Sequence, residues 1–502
     1  MVCTVDHLAS FAGLLMLERG GSAVDAAIAA NAVLAVTSPH MCGLGGDLFA
    51  LVHASAGPPE ALNASGRAGS GADPERLRGE GHRRMPFQWD IRSVTVPGCV
   101  DGWLALHARH GRLPLPELLA PAIGHARDGF PAAPLLARMA TAMPEVPEPI
   151  SAGDLIRRPG VARALEAIAK DGRDGFYLGE FGAGLIELGG GEYVEEDLAR
   201  GNAEWVEPLG ARVFGHDVWT IPPNSQGYLL PLSLTIAAGL EPLNDLDDPD
   251  DAAWAHLLVE SARVAGHDRP DVLHDGADVG PVLASADERR AMIDPTRRAT
   301  VRDLASPGDT TYLCVVDGDG MGVSLIQSNA AGFGSMLFEP RTGINLHNRG
   351  LGFCLTPGHP AEYGPGRRPP HTLTPALVTR PDGSLRTVAG TMGGDGQPQI
   401  LLQVLTRLLR HGESPGRAIR SPRWVTGTGP TGFDAWDSPD EASVRVEEGS
   451  PWADGLRERG HTVEARPYGG GFGHAHLIDV RPDGTLAGAS DPRAVTGAAI
   501  GR

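Results

Sequence analysis

Lysine is almost missing from this chain. Lys170 is the only one among 43 basic residues in 502, so arginine carries nearly all the positive charge, a bias of genome composition rather than of function. Basic residues are also outnumbered: 62 acidic side chains leave a formal net charge of −19. That balance argues against general nucleic-acid or anionic-membrane binding, since both need basic surface. Cysteines are few and odd in number (Cys3, Cys42, Cys99, Cys314 and Cys354), and no two form a CxxC pair. A disulfide framework and a cysteine zinc site are therefore not expected, and reduced thiols in a cytoplasm are. No run of 18 apolar residues marks a membrane helix. The opening "MVCTVDHLASFAGLLMLERGG" has no cationic leader region and no small-residue cleavage site, so the expected location is cytoplasmic.

What is present reads as a soluble globular chain, 41% hydrophobic and 21% charged, long enough for one large core or several ordinary ones. From Ser22, "SAVDAAIAANAVLAVTSP" spells an Ala-rich helix with Ser22 as N-cap, Asp25 three residues on, and Pro39 as its stop. Apolar residues cover most of its circumference, which predicts a buried helix. "GLGGDLFALVHA" then feeds a glycine turn into a strand. A phosphate-cradling loop has the reverse order, so a dinucleotide site is not read there. Helical patterns dominate to about residue 270 and strand patterns follow from about residue 300. No polar linker separates them, which predicts one interleaved α+β unit. The acidic run "NDLDDPDDA" (244–252) lacks calcium-loop spacing and reads as a solvated loop. His474 and His476 share a strand face and read as a structural pair rather than a metal site. Nothing in the chain calls for a cofactor.

One stretch stands apart. In "PGDTTYLCVVDGDG" (307–320) two hydroxyls, Thr310 and Thr311, stand directly before an apolar strand that closes in a turn cluster. Threonine starts strands often, which is the plain reading. The other reading makes Thr310 a nucleophile.

Four stretches together resemble the gamma-glutamyltransferase family: "GSAVDAAIAANAVLAV…GLGGDLFALV", "SVTVPGCVDGWLAL", "GDTTYLCVVDGDG" with "SLIQSNAAGFGS", and "GTMGGDGQPQ" with the closing "GASDPR". The resemblance runs from about residue 1 to 495. It implies a four-layer αββα sandwich of the N-terminal-nucleophile hydrolase type. It also implies self-cleavage between Asp309 and Thr310 into a helix-rich large chain, 1–309, and a strand-rich small chain, 310–502, which stay together as a heterodimer. Thr310 would then be both nucleophile and, through its freed α-amino group, base. Such an amine has a pKa near 8 and can take the hydroxyl proton without a histidine. The resemblance further implies Ser328 as support for the nucleophile and Gly393 and Gly394 as the oxyanion hole. Arg67 falls where the family grips a substrate carboxylate, and Thr372 on the second of two pocket serines.

Departures from the family pattern point to a different substrate. Gly352 stands where an acidic residue would meet a glutamyl ammonium, Arg349 replaces a polar residue, His371 replaces the first pocket serine, and Ala330 replaces an asparagine. This pattern resembles the acylase-like branch. The expected activity is hydrolysis of a small anionic acyl amide without an α-amino group. Restoring the acid with Gly352→Asp is expected to move preference towards glutamyl donors. The alternatives are a gamma-glutamyl transferase or glutathione hydrolase, a secondary-metabolite hydrolase of the same fold, and an unprocessed binding homologue. A denaturing gel separates the last from the rest. Purified protein should show two chains in equal amounts, the smaller beginning at Thr310 by N-terminal sequencing, and Thr310→Ala should stay uncut and inactive. A single full-length chain that turns over substrate would remove this mechanism.

Overall fold

A computed structural model describes residues 1–300, 309–427 and 443–502. Two antiparallel sheets form its centre. The seven-stranded sheet runs, edge to edge, Ala498–Ile500, Val2–Thr4, Asp309–Val316, Gly322–Ala330, Asp47–His53, Glu60–Ala64 and Glu204–Val206. The six-stranded sheet runs Leu486–Ala489, Ala475–Val480, Leu385–Thr391, Ala376–Thr379, His216–Thr220 and Leu209–Val213. Each sheet draws strands from both sides of Thr310, so the stretches before and after it interleave in both.

The period-2 alternation of the strands sorts their side chains into three cores. Tyr312, Cys314, Val316 and Ile326 point between the sheets, against Leu377, Val388 and Ile478. Leu313, Val315, Val323 and Leu325 point the other way, into a layer of helices led by Ala23–Thr37. A second helical layer, with Leu229–Ala238, Ala252–Gly266 and Gln397–Leu409, covers the outer face of the six-stranded sheet. The result is the αββα sandwich that the sequence predicts. Ser22 caps the Ala23–Thr37 helix in a capping box with Asp25, and all fifteen helical residues are buried. Its small side chains let the seven-stranded sheet and the neighbouring helices pack closely on every side.

The same alternation aims the site. Thr310 shares parity with Tyr312 and Cys314, and Ser328 shares parity with Ile326, so both hydroxyls face the gap between the sheets at its open end. The two strands pair in regular register to Gln327–Thr311, then shift so that Ala330 lies opposite Asp309. This bulge puts Ala330 at φ 75°, a strained value for a residue with a Cβ.

The closing motif "GASDPR" has a structural role. Arg493 is fully buried and reaches Glu447 at 2.5 Å and Asp491 at 3.1 Å, while Asp491 also meets Arg423 at 2.7 Å. Arg423 in turn donates to the carbonyl of Phe472 at 3.0 Å, beside the loop that backs the Gly393 turn. Removing one member of a buried ionic network strands its partners. Arg493→Ala should lower stability by about 3–5 kcal/mol in a denaturant melt. A change below about 1 kcal/mol would mean that solvent screens the network.

Candidate active site

Thr310 is the second residue of the strand Asp309–Val316 and is 1% exposed. Its Oγ1 lies 3.1 Å from Ser328 Oγ. Ser328 Oγ accepts from the Ala330 N–H at 2.8 Å and from Arg349 Nη2 at 3.2 Å. A hydroxyl has two lone pairs, so these two donors fill its acceptor capacity and leave only its proton to give. Arg349 uses its other terminal nitrogen, Nη1, to donate to Thr372 Oγ1 at 3.0 Å. One guanidinium therefore links the Thr372 hydroxyl to the Ser328–Thr310 pair.

Arg349 is 2% exposed, and no carboxylate among the described residues comes within ion-pair distance of it. Its Nε has no acceptor. Burial pushes its pKa down to about 10, against the pull of Asp47 and Asp395, so it remains a cation at neutral pH. A buried cation whose contacts are only hydroxyls is costly to keep and is matched when an anion arrives.

Among the carboxylates, Asp47 exerts the largest pull on Arg349. It sits at the start of a strand that is buried throughout and accepts from the N–H groups of Gly66 at 2.9 Å and Gly98 at 3.2 Å. Its other oxygen lies 3.3 Å from His371 Nε2 and 3.7 Å from His347 Nδ1. Burial acts to raise the Asp47 pKa, but His347, His371 and Arg349 outweigh it, and the net shift is downward. His371 is pushed down to about 3, first by burial and then by Arg349, so its ring is neutral. With Nε2 on Asp47 and Nδ1 accepting from the Leu373 N–H at 3.4 Å, both ring nitrogens are engaged by the protein. The His371 side chain thus forms a wall of the pocket. Asp47 escapes the sequence reading, although a carboxylate heading an otherwise apolar strand is a signal that could have exposed it.

The Gly393–Gly394 turn leads into the helix Gln397–Leu409 through the short turn Gly394–Gly396. Both glycines have positive φ, 136° and 52°, which residues with a Cβ adopt only with strain. Gln226 fastens this turn to the pocket: its Nε2 donates to the carbonyls of Gly394 at 3.1 Å and Thr372 at 3.0 Å. With that carbonyl tied back, the N–H side of the turn at a helix start suits a developing oxyanion.

Gly352 ends a single turn, Arg349–Gly352, and lines the same cleft as Arg349, His371 and Thr372. A Cβ there would lie 2.2 Å from the Pro370 carbonyl oxygen. The position therefore lacks both the acid and the room for one, which changes the outcome expected of Gly352→Asp.

Arg67 is placed differently from the rest. Its Nη2 donates to Glu204 at 2.9 Å, and its Nη1 donates to the Gly366 carbonyl at 3.2 Å and lies 3.6 Å from Asp275. None of its contacts reaches Thr310, Ser328 or Arg349. The structure thus brings together Thr310, Ser328, Arg349, Thr372, His371 and Gly352, with Gly393 and Gly394 joined through Gln226. Asp309 opens the strand through its backbone, and residues 301–308 of the proposed cleavage region lie outside the described residues.

Two histidine groups lie apart from this site. His256, Glu260 and His461 hold their ligand atoms within 4.8 Å of one another. Arg263 already pairs with Glu260 at 2.5 Å, and Arg263, Arg298 and Arg459 surround His461, so this cationic setting disfavours an ion. His474 and His476 are buried and pushed down to about 4 and about 3 by burial, and His476 Nδ1 accepts from the Asp491 N–H at 3.2 Å. They form a neutral pair within the core.

Residues 9–501 match the family model described as gamma-glutamyltranspeptidase. The chain is 36% identical to an oxamate amidohydrolase proenzyme of Klebsiella pneumoniae, over all of this chain and 98% of that one. It is 35% identical, with the same coverage, to a glutathione hydrolase-like YwrD proenzyme of Bacillus subtilis. Among solved structures, a cephalosporin acylase from Bacillus halodurans superposes with a TM-score of 0.87 at 34% identity, covering 99% of this chain and 94% of that one.

The tight approach at Gly352 can be tested directly. Gly352→Ala should already displace the turn that carries Arg349 and lower kcat/KM by about tenfold or more, since small misplacements near a reacting group are costly. Gly352→Asp should lose activity on every donor and gain no preference for glutamyl. An active Gly352→Asp enzyme that favours glutamyl anilide would show that the Pro369–Pro370 segment yields.

Proposed function

Because the chain belongs to the gamma-glutamyltranspeptidase family, we propose that it is an autoprocessed N-terminal-threonine amidohydrolase of small anionic acyl amides that lack an α-amino group. Cleavage between Asp309 and Thr310 frees the α-amino group that serves as base. That amine takes the Thr310 hydroxyl proton as Oγ1 attacks the amide carbonyl. The Gly393 and Gly394 N–H groups receive the oxyanion, and the amine leaves with the transferred proton. Water then attacks the threonyl ester, releasing the acid and restoring the hydroxyl. Ser328 holds Thr310 Oγ1 in place throughout.

The observation that carries the reading is the Arg349 guanidinium, buried, without a carboxylate in contact, and one hydroxyl away from Thr310. A substrate carboxylate is the group that completes it. Because the anion site and the nucleophile are separated by Ser328 alone, the acyl chain between carboxylate and scissile carbonyl is short. The Klebsiella relative's name, oxamate amidohydrolase, is consistent with such a chain. Arg67, paired with Glu204, would serve a longer acyl group or the rim of the site. A gamma-glutamyl donor would bring its ammonium towards Arg349 with no acid at Gly352 to receive it. That desolvation is uncompensated and costs several kcal/mol.

Oxalyl and glutaryl anilides should therefore have a higher kcat/KM than gamma-glutamyl anilide, by about tenfold or more, equivalent to about 1.4 kcal/mol of transition-state binding. Arg349→Gln should cost about 2–5 kcal/mol on the anionic donors and little on an uncharged acyl anilide. Arg349→Lys should recover only part, because an ammonium cannot span Ser328, Thr372 and a carboxylate at once. A wild-type preference for gamma-glutamyl anilide would refute the proposal.

A further inference from the structure

The cleft beside the nucleophile includes Arg269, Arg349, Gly352, His371, Thr372 and Asp395 in its walls. Asp395 is the one acidic residue among those walls and is 3% exposed. It directly follows the Gly393–Gly394 turn, so a free carboxylate there would stand beside the acyl group. It is not free. Arg269 Nη1 donates to Asp395 Oδ1 at 2.6 Å and also to Gln226 Oε1. Gln226 is the same side chain that fastens the Gly394 and Thr372 carbonyls.

We propose that Arg269 is a specificity-determining residue that masks Asp395, so that the cleft presents no anion to a substrate ammonium and favours acyl donors without an α-amino group. The inference rests on the acyl preference proposed above and names the residue that enforces it. Its physical basis is local compensation. A carboxylate in direct contact with a buried guanidinium spends its charge on that partner. Without Arg269, the carboxylate would attract any ammonium entering the cleft. It would also compete with the substrate anion for Arg349, towards which its charge already acts. The first effect favours amino-bearing donors, whereas the second weakens glutaryl and gamma-glutamyl donors alike, since both carry the carboxylate, and leaves their ratio unchanged. Arginine suits the task because its terminal Nη1 carries two hydrogens and so donates to Asp395 and Gln226 together. The loss of an acid at Gly352 and the covering of the acid at Asp395 then belong to one pattern, the exclusion of a cation.

The test compares gamma-glutamyl and glutaryl anilides on the autoprocessed enzyme, reading the ratio of their kcat/KM values. Arg269→Gln should raise that ratio by about tenfold or more, because an unmasked Asp395 now receives the ammonium. The double variant Arg269→Gln with Asp395→Asn removes both charges, and its ratio should fall within about threefold of wild type. This neutral pair leaves no stranded charge, so it is expected to fold even if Arg269→Gln accumulates poorly. A ratio unmoved by Arg269→Gln in folded enzyme overturns the masking. So does a tenfold change in either direction in the neutral pair, which would mean that shape, or Asp395 acting unmasked, sets the preference. The wild-type ratio separately decides the functional reading, since masking predicts only how the ratio moves.

Discussion

A guanidinium buried beside the Thr310–Ser328 pair, held only by hydroxyls, is the constraint around which the candidate site is arranged. Arg349 cannot leave for water, because the Arg349–Gly352 turn is pressed against the Pro370 carbonyl with no space for a Cβ at Gly352. It also cannot be neutralised, because burial pushes its pKa down only to about 10. Its charge is balanced at a distance by Asp47, which is itself held by two backbone N–H groups and His371. The fold keeps a cation with no carboxylate in direct contact, at a cost in stability, and the proposed substrate supplies that contact. Electrostatics of this kind favours one class of ligand by making others expensive.

The sandwich makes the arrangement possible. A strand start at the open end of the gap between two sheets gives Thr310 a rigid backbone and a buried hydroxyl. The bulge at Ala330 turns its N–H onto Ser328, taking up one lone pair and leaving the other for Arg349. The Gly393–Gly394 turn follows a strand of the six-stranded sheet, and the Thr310–Ser328 hydroxyl pair lies on the seven-stranded one. Gln226, which belongs to the stretch before Thr310, ties the Gly394 turn to the Thr372 carbonyl, and Arg349 links the Thr372 hydroxyl to Ser328. Side chains from both sides of the proposed cut thus meet around one bond, consistent with chains that remain together after processing.

Much of this was legible in the sequence, for identifiable reasons. The Ala23–Thr37 helix announces itself by its capping residues and unbroken small apolar run, and the Thr310 strand by β-branched alternation after paired hydroxyls. Positive-φ glycines at Gly393 and Gly394 sit in a Gly-rich turn before a helix, as expected of that pattern. Contacts between distant segments were not legible. The Arg269–Asp395 pair spans 126 positions and Asp47–His371 spans 324, and no local spacing encodes either. Arg67 makes a contact of the same kind, pairing with Glu204 across 137 positions. Gly352 was read as a missing charge, whereas the close approach of Pro370 makes it a steric requirement as well.

A crystal structure of the processed enzyme with a slowly turned-over oxalyl or glutaryl amide bound would bear most directly on the central claim. The expected result is a substrate carboxylate oxygen about 2.7–3.2 Å from the Arg349 guanidinium, with the scissile carbonyl against Thr310 Oγ1 and the Gly393–Gly394 N–H groups. A carboxylate seated on Arg67, with Arg349 still bound only to Ser328 and Thr372, would contradict it.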